Sequence, residues 1–139
     1  MREIALKHTT GAVSPACAWA RTFEALPSRV GDARRFLASI LNDSSLTGDA
    51  LICLSEIATN AVLHSNSGQP HGAFTVRVSL DKSTLRVEVE DQGGPWVHGH
   101  HNDGQSGRGL LIVSQLATTW DISGDGTTSR TVWFEMTHP

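Results

Sequence analysis

Apolar residues in the run LICLSEIATNAVLH, Leu51 to His64, recur at three- and four-residue steps, the period of a helix with one buried face. Leu51, Leu54, Ser55, Ala58 and Val62 form the stripe such a helix turns toward a core. Glu56 and Asn60 interrupt the run four residues apart, so they stack on one face, one turn from each other. A helix holding a carboxylate and a carboxamide in register within apolar surroundings either secures a unique packing or presents a site.

The pattern on either side supplies the remaining elements. Alternation from about Ala18 to Ala25 predicts a strand, broken by Leu26-Pro27-Ser28. Ser28 is a candidate cap for a helix from about Arg29 to Leu41, with Val30, Ala33, Phe36, Leu37 and Ile40 on one side. Asn42-Asp43-Ser44-Ser45 ends it, Thr47 or Asp49 starts the helix that carries Glu56 and Asn60, and that helix stops near Asn66-Ser67-Gly68. Phe74 to Leu80 and Leu85 to Val89 both show period two and are separated by Asp81-Lys82-Ser83, short enough for an antiparallel hairpin. The second of these strands runs into Asp91-Gln92-Gly93-Gly94-Pro95.

Trp96 to Ser106 is polar and aperiodic, longer than an ordinary connection, as a mobile or ligand-covering loop would be. Gly107-Arg108-Gly109 then opens an apolar helix from Leu110 to about Leu116. Thr118 to Ile122 and Thr131 to Met136 read as strands joined by Ser123-Gly124-Asp125-Gly126. Strands arrive in consecutive pairs and helices do not alternate with them, which excludes a doubly wound parallel sheet. The predicted fold is α+β: a two-layer α/β sandwich with a mixed, mostly antiparallel sheet and helices on one face.

Composition narrows the setting. At 139 residues the chain is long enough for one domain with its own core. A net charge of −3 gives no basic surface for nucleic acid, so no direct nucleic-acid contact is expected. Cys17 and Cys53 form neither a CxxC pair nor a disulfide framework, which places the chain in a reducing, cytoplasmic compartment. No apolar run approaches the roughly 18 residues of a membrane span. The N-terminus has a signal-like pattern, but Lys7, His8, Thr9 and Thr10 interrupt its apolar part. Residues 1–16 are accordingly expected to be a flexible leader, and 17–139 a single domain.

Three polar clusters are candidates for chemistry: Glu56 with Asn60, Asp91-x-Gly93-Gly94, and Gly107-x-Gly109. Singly, these are a solvated helix face, a turn and a common dipeptide spacing. Together they have the parts of a nucleotide site. A glycine-flanked turn entering a helix aims free N–H groups and the helix dipole at anionic oxygen. Asn60 offers an amide oxygen suited to Mg²⁺, and Glu56 can accept a proton from an attacking hydroxyl or water. Asp91 can accept a hydrogen bond from an exocyclic amine such as that of adenine. His98, His100 and His101 fall within four residues, close enough to share a metal, yet Asp103 is the carboxylate that accompanies them, and solvated loop residues are the simpler account. His64 continues the Glu56/Asn60 face, where a polar role near the phosphates and a packing role are both open.

With these residues in view the sequence resembles the GHKL ATP-binding superfamily, which includes histidine-kinase catalytic domains, gyrase and anti-sigma factors. Glu56-x-x-x-Asn60-Ala61-Val62-x-His64 is similar to its N box, Asp91-x-Gly93 to its adenine box, and Gly107-Arg108-Gly109-Leu110 to its phosphate box. Gly107 to Leu110, Trp120-Asp121 and Val132-Trp133-Phe134-Glu135 most resemble the short bacterial anti-sigma-factor serine/threonine kinases, a likeness extending from about Arg29 to Met136. The resemblance implies a histidine-kinase-like ATPase fold that takes ATP and Mg²⁺. Asp91 and Gly93 would meet adenine, Asn60 would hold Mg²⁺, and backbone from Gly107 through Arg108, Gly109 and Leu110 to Leu111 would meet the phosphates. Glu56 would be the base toward a serine hydroxyl of a protein partner. Arg108 would add a guanidinium to the phosphates, with an exposed ion pair as the equal alternative. Thr131 would lie on the adenine side, where the family often has Gly-Lys-Thr and this chain has Ser129-Arg130-Thr131. Trp96 to Ser106 would be the ATP lid.

The implied function is an ATP-binding anti-sigma factor that phosphorylates an anti-sigma-factor antagonist and regulates a sigma factor. The alternative is a non-catalytic, ATP-dependent protein-binding module of the same fold. The implied partners are thus a sigma factor and an antagonist protein, with no membrane, and the sequence leaves a homodimer open.

Overall fold

The computed structural model describes residues 4–8, 16–42, 44–64, 72–93, 105–125 and 128–137. Gly94, His98, His100, His101, Asp103 and most of the expected lid lie outside the described residues, as do the side chains of His64 and Arg108. The elements are β1 (Ile4–His8), β2 (Ala16–Glu24), α1 (Pro27–Leu41), α2 (Thr47–His64), β3 (Ala73–Leu80), β4 (Thr84–Asp91), α3 (Gln105–Leu116), β5 (Thr119–Ser123) and β6 (Arg130–Thr137).

The strands form one sheet in the order β1-β2-β3-β4-β6-β5. Every pairing among them is antiparallel, so the sheet is not mixed as expected. The reason is the path after β4. The chain crosses through α3 to β5, and β6 returns between the two, so β4 and β5 share a direction without touching. The fold is otherwise the expected α+β sandwich. Phe74, Val76 and Val78 of β3, Leu85, Val87 and Val89 of β4, and Val132, Phe134 and Met136 of β6 are buried in one core with residues from all three helices. The opposite face is polar: Arg86 pairs with Glu88 at 2.8 Å and Glu135 at 2.9 Å and lies 3.9 Å over the Trp133 ring, while Arg77 pairs with Glu90.

Helix α1 begins earlier than Ser28 would place it. Leu26 is the extended N-cap without a side-chain cap, and Pro27 occupies the first turn. Proline is suited to that position because its φ is already helical and the N–H it lacks would have had no partner. At the other end Asn42 adopts a left-handed φ of 52° and donates its N–H to the Ala38 carbonyl, closing the helix. Phe36 and Phe74 both contact the Phe23 ring, fixing α1 to the sheet.

Helix α2 is the middle helix, packed on α1 and α3 and laid over β3, β4 and β6. Its buried stripe is therefore broader than predicted and centred on Ala50, Cys53, Leu54, Ile57, Ala58 and Ala61. Leu51 and Ser55, expected on that stripe, are half-buried at its border, and the Ser55 hydroxyl returns a hydrogen bond to the Leu51 carbonyl. Residues 4–8, expected in a leader outside the fold, pair with β2 from Ile4 opposite Ala20 to His8 opposite Ala16. This strand covers main-chain groups that would otherwise form an open sheet edge. Such pairing is main-chain chemistry and leaves little periodicity in the sequence. No helix among the described residues is long and apolar enough to cross a membrane.

Candidate functional site

Two clusters lie on the helix-covered side of the sheet. The first joins α2 to α3. A Cβ placed on Gly109 would come within 3.2 Å of Glu56 Oε1, 3.4 Å of Asn60 Nδ2 and 3.6 Å of Glu56 Cβ. The absence of a side chain at Gly109 thus lets the first turns of α3 rest directly on the two polar residues of α2. Leu110 follows as a buried anchor and Val113, one turn later, is fully buried. Gly107, Arg108 and Gly109 lie inside α3 rather than before it, because the helix already starts at Gln105. The first-turn N–H groups of α3 have no partner within the helix. No acidic residue occupies that turn.

Asn60 is 8% exposed, and its Nδ2 has no hydrogen-bond partner among the described residues. A buried polar group left unpaired costs about 1–3 kcal/mol, so a carboxamide kept in this position is a candidate for binding a ligand. Turned about its last torsion, the carboxamide presents Oδ1 in place of Nδ2. Beside the Glu56 carboxylate, that neutral oxygen fits Mg²⁺, which takes oxygen ligands and retains several waters or phosphate oxygens. Among the described residues no three His, Cys, Asp or Glu side chains converge, so these groups do not by themselves enclose a metal.

The second cluster lies at the end of β4. Asp91 continues the row Leu85, Val87, Val89, and so turns its side chain into the same buried face. Its Oδ1 accepts the Gly93 N–H at 2.7 Å, and Gly93 has a φ of 70°, a left-handed conformation that favours glycine. Its Oδ2 accepts a hydrogen bond from Arg130 Nε at 3.5 Å. Burial pushes the Asp91 carboxyl above its ordinary value, while the Gly93 N–H and the Arg130 charge oppose that rise.

Thr131 is not beside Asp91. It is half-buried on the opposite face of the sheet, in register with Glu90 on one side and Ser123 on the other. The residue that β6 turns toward Asp91 is Arg130, its register partner. The sequence held the signal for this. Val132, Phe134 and Met136 form the apolar row of β6, so parity assigns residue 130, not 131, to the core face. The structure brings Glu56, Asn60 and Gly109 together, and Asp91, Gly93 and Arg130 together. Packing of α2 on β4 and β6 puts both sets on one side of the sheet. A groove of about 420 Å³ between α1 and α2, lined by Pro27, Val30, Arg34, Thr59 and Leu63 among others, shares no residue with either cluster.

Comparison with known proteins gives a single family. The pattern of the histidine kinase-like ATPase domain matches residues 23–133, a span that includes both clusters and excludes β1. The serine-protein kinase RsbW of Bacillus velezensis is 30% identical over 108 residues, covering 65% of this chain and 68% of that protein. The anti-sigma F factor of Halalkalibacterium halodurans is 35% identical over 40 residues, which is 29% of this chain and 27% of that protein.

Proposed function

The chain belongs to the histidine kinase-like ATPase domain family, and from that premise we propose that it is an anti-sigma factor with serine/threonine kinase activity. It binds ATP with Mg²⁺ on the face formed by α2, the start of α3 and the end of β4. It transfers the γ-phosphoryl group to a hydroxyl of an anti-sigma-factor antagonist and so regulates a sigma factor in the cytoplasm. The names of the two relatives, a serine-protein kinase and an anti-sigma F factor, support this choice of reaction and partner class.

The observation that carries the reading is the seating of Gly109 on Glu56 and Asn60. It sets the opening turns of α3, whose first N–H groups have no partner within the helix, beside a carboxylate and a carboxamide whose Nδ2 is unpaired among the described residues, which suits a phosphate chain with its cation. In this reading Asp91 accepts the adenine amine, with Gly93 holding the carboxylate from the other side. The first-turn N–H groups of α3 donate to phosphate oxygens. Asn60 would hold Mg²⁺, directly or through its waters, and the metal would neutralise charge on the transferred group. Glu56 is half-buried and open to a partner's hydroxyl, whose proton its carboxylate would accept as oxygen attacks phosphorus.

The test is transfer of label from γ-labelled ATP to candidate antagonist proteins, comparing the natural chain with Glu56→Gln. Phosphoserine or phosphothreonine on the antagonist with the natural chain, lost in the variant while ATP binding persists, is the expected result. Transfer unchanged in Glu56→Gln would remove Glu56 as the base. ATP binding without transfer to any antagonist would identify the non-catalytic binding module instead.

A further inference from the structure

The family expectation at the start of β6 left Arg130 without a role, yet it is the residue the fold places against Asp91. The two are register partners across β4 and β6, and their side chains are 7% and 6% exposed. The guanidinium reaches Asp91 Oδ2 through Nε, and the Gly93 N–H holds Oδ1, so the carboxylate is fixed from two sides. A carboxylate this far from water stays ionised only with a compensating charge or several donors.

Among the described residues, the other groups around Asp91 supply no positive charge. Its neighbour Glu90 is on the opposite face and is tied to Arg77. Helix α2 packs against β4, and β3 contributes the apolar Phe74 to the shared face. Arg130 on β6 is the cation in contact.

We propose that Arg130 is a positioning residue for nucleotide binding, holding the Asp91 carboxylate ionised and in one orientation to receive the amine of the base. The proposal rests on the reading of Asp91 as the adenine contact. Without the guanidinium, Asp91 would protonate at a higher pH. A protonated carboxyl presents a donor where the base also presents one, and its remaining oxygen is a weaker acceptor. Nucleotide affinity would then fall as pH falls through the raised pKa of Asp91, by about tenfold for each pH unit below it. Lysine, also a cation, would preserve the charge although not the fork of the guanidinium.

The experiment uses the full chain as wild type, Arg130→Met, Arg130→Gln and Arg130→Lys, with folding checked by circular dichroism. ATP affinity is measured by calorimetry from about pH 8.5 down to about pH 5.5, and the Asp91 carboxyl is followed by NMR without nucleotide over the same range. The expected result is an Asp91 titration shifted upward in the methionine and glutamine variants. Their ATP affinity falls away at a higher pH than that of wild type, and the lysine variant follows wild type. Either neutral variant alone suffices if the other fails to fold. A neutral variant with the wild-type pH profile overturns the proposal, as does tighter binding at every pH, which would mean that Arg130 obstructs the base. If wild type binds no ATP at any pH, the nucleotide reading fails by itself. The nucleotide-free titration then still decides: an upward shift upholds Arg130 as the group that keeps Asp91 ionised, and an unchanged titration overturns it.

Discussion

Gly109→Ala separates what the α2–α3 contact does for folding from what it does for binding. Alanine in a helix interior is favoured over glycine by about 0.8–1 kcal/mol, because glycine gains more freedom on unfolding. Against this, the new methyl carbon arrives 3.2 Å from Glu56 Oε1, closer than ordinary contact, and 3.4 Å from Asn60 Nδ2, at the short limit of ordinary contact. Overpacking of this size costs about 1–3 kcal/mol when neighbours are rigid. Here the closest atom is the free end of a half-buried glutamate, which can swing aside, whereas Asn60 is buried and has little room. The two effects nearly cancel, so stability in urea denaturation should stay within about 1 kcal/mol of wild type. Binding should not be spared, since relief of the contact displaces side chains that line the site, among them Asn60, which would hold Mg²⁺. A loss of at least about tenfold in affinity for ATP with Mg²⁺, or about 1.4 kcal/mol, is the expected calorimetric result. An alanine variant that folds and binds ATP as wild type does would refute the claim that this close seating builds the site.

Two further expectations concern other parts of the chain. Cys53 is fully buried and its thiol is pushed up to about 12, chiefly by burial, whereas Cys17 is exposed. A chromogenic disulfide reagent at about pH 8 should therefore label Cys17 alone in the native protein and both cysteines after denaturation; native labelling of Cys53 would contradict the packing of α2. Asp81 accepts the N–H groups of Ser83 and Thr84, which hold its carboxyl below the usual range. Asp81→Ala should thus lower stability by less than about 1 kcal/mol, the exposed hydrogen bonds being worth little. Because the folded pKa is depressed, that difference is present above the ordinary carboxylate range and should disappear as pH falls through the folded value. Urea curves of both proteins at neutral and acidic pH measure it, and a difference that persists in acid would refute the assignment.

Period alone revealed most of the sheet and the two long helices, because half-buried strands and core-facing helices must repeat at two and 3.6 residues. It failed where main-chain or tertiary effects decide. The pairing of Ile4–His8 satisfies backbone groups of β2, which no side-chain pattern announces. Pro27 rather than Ser28 begins α1, since a missing N–H at the first turn substitutes for a cap. The stripe of α2 widened because α1, α3 and the sheet all pack against it. Glu56 and Asn60 were visible as oddities in an apolar run, but what Gly109 does to them belongs to the packing of α3. Arg130 was hidden by motif spacing, and strand parity would have found it.

A nucleotide site on this face requires that the buried carboxylate at the end of β4 receive the base. Titration of ATP into the full chain with Mg²⁺, beside Asp91→Asn, measures this most directly, with circular dichroism confirming that the variant is folded. The amide replaces one acceptor oxygen by a donor and removes the charge facing Arg130. Saturable binding by wild type and none by the variant is the expected result; equal affinities, or no binding by either, would contradict the assignment of Asp91 to the base.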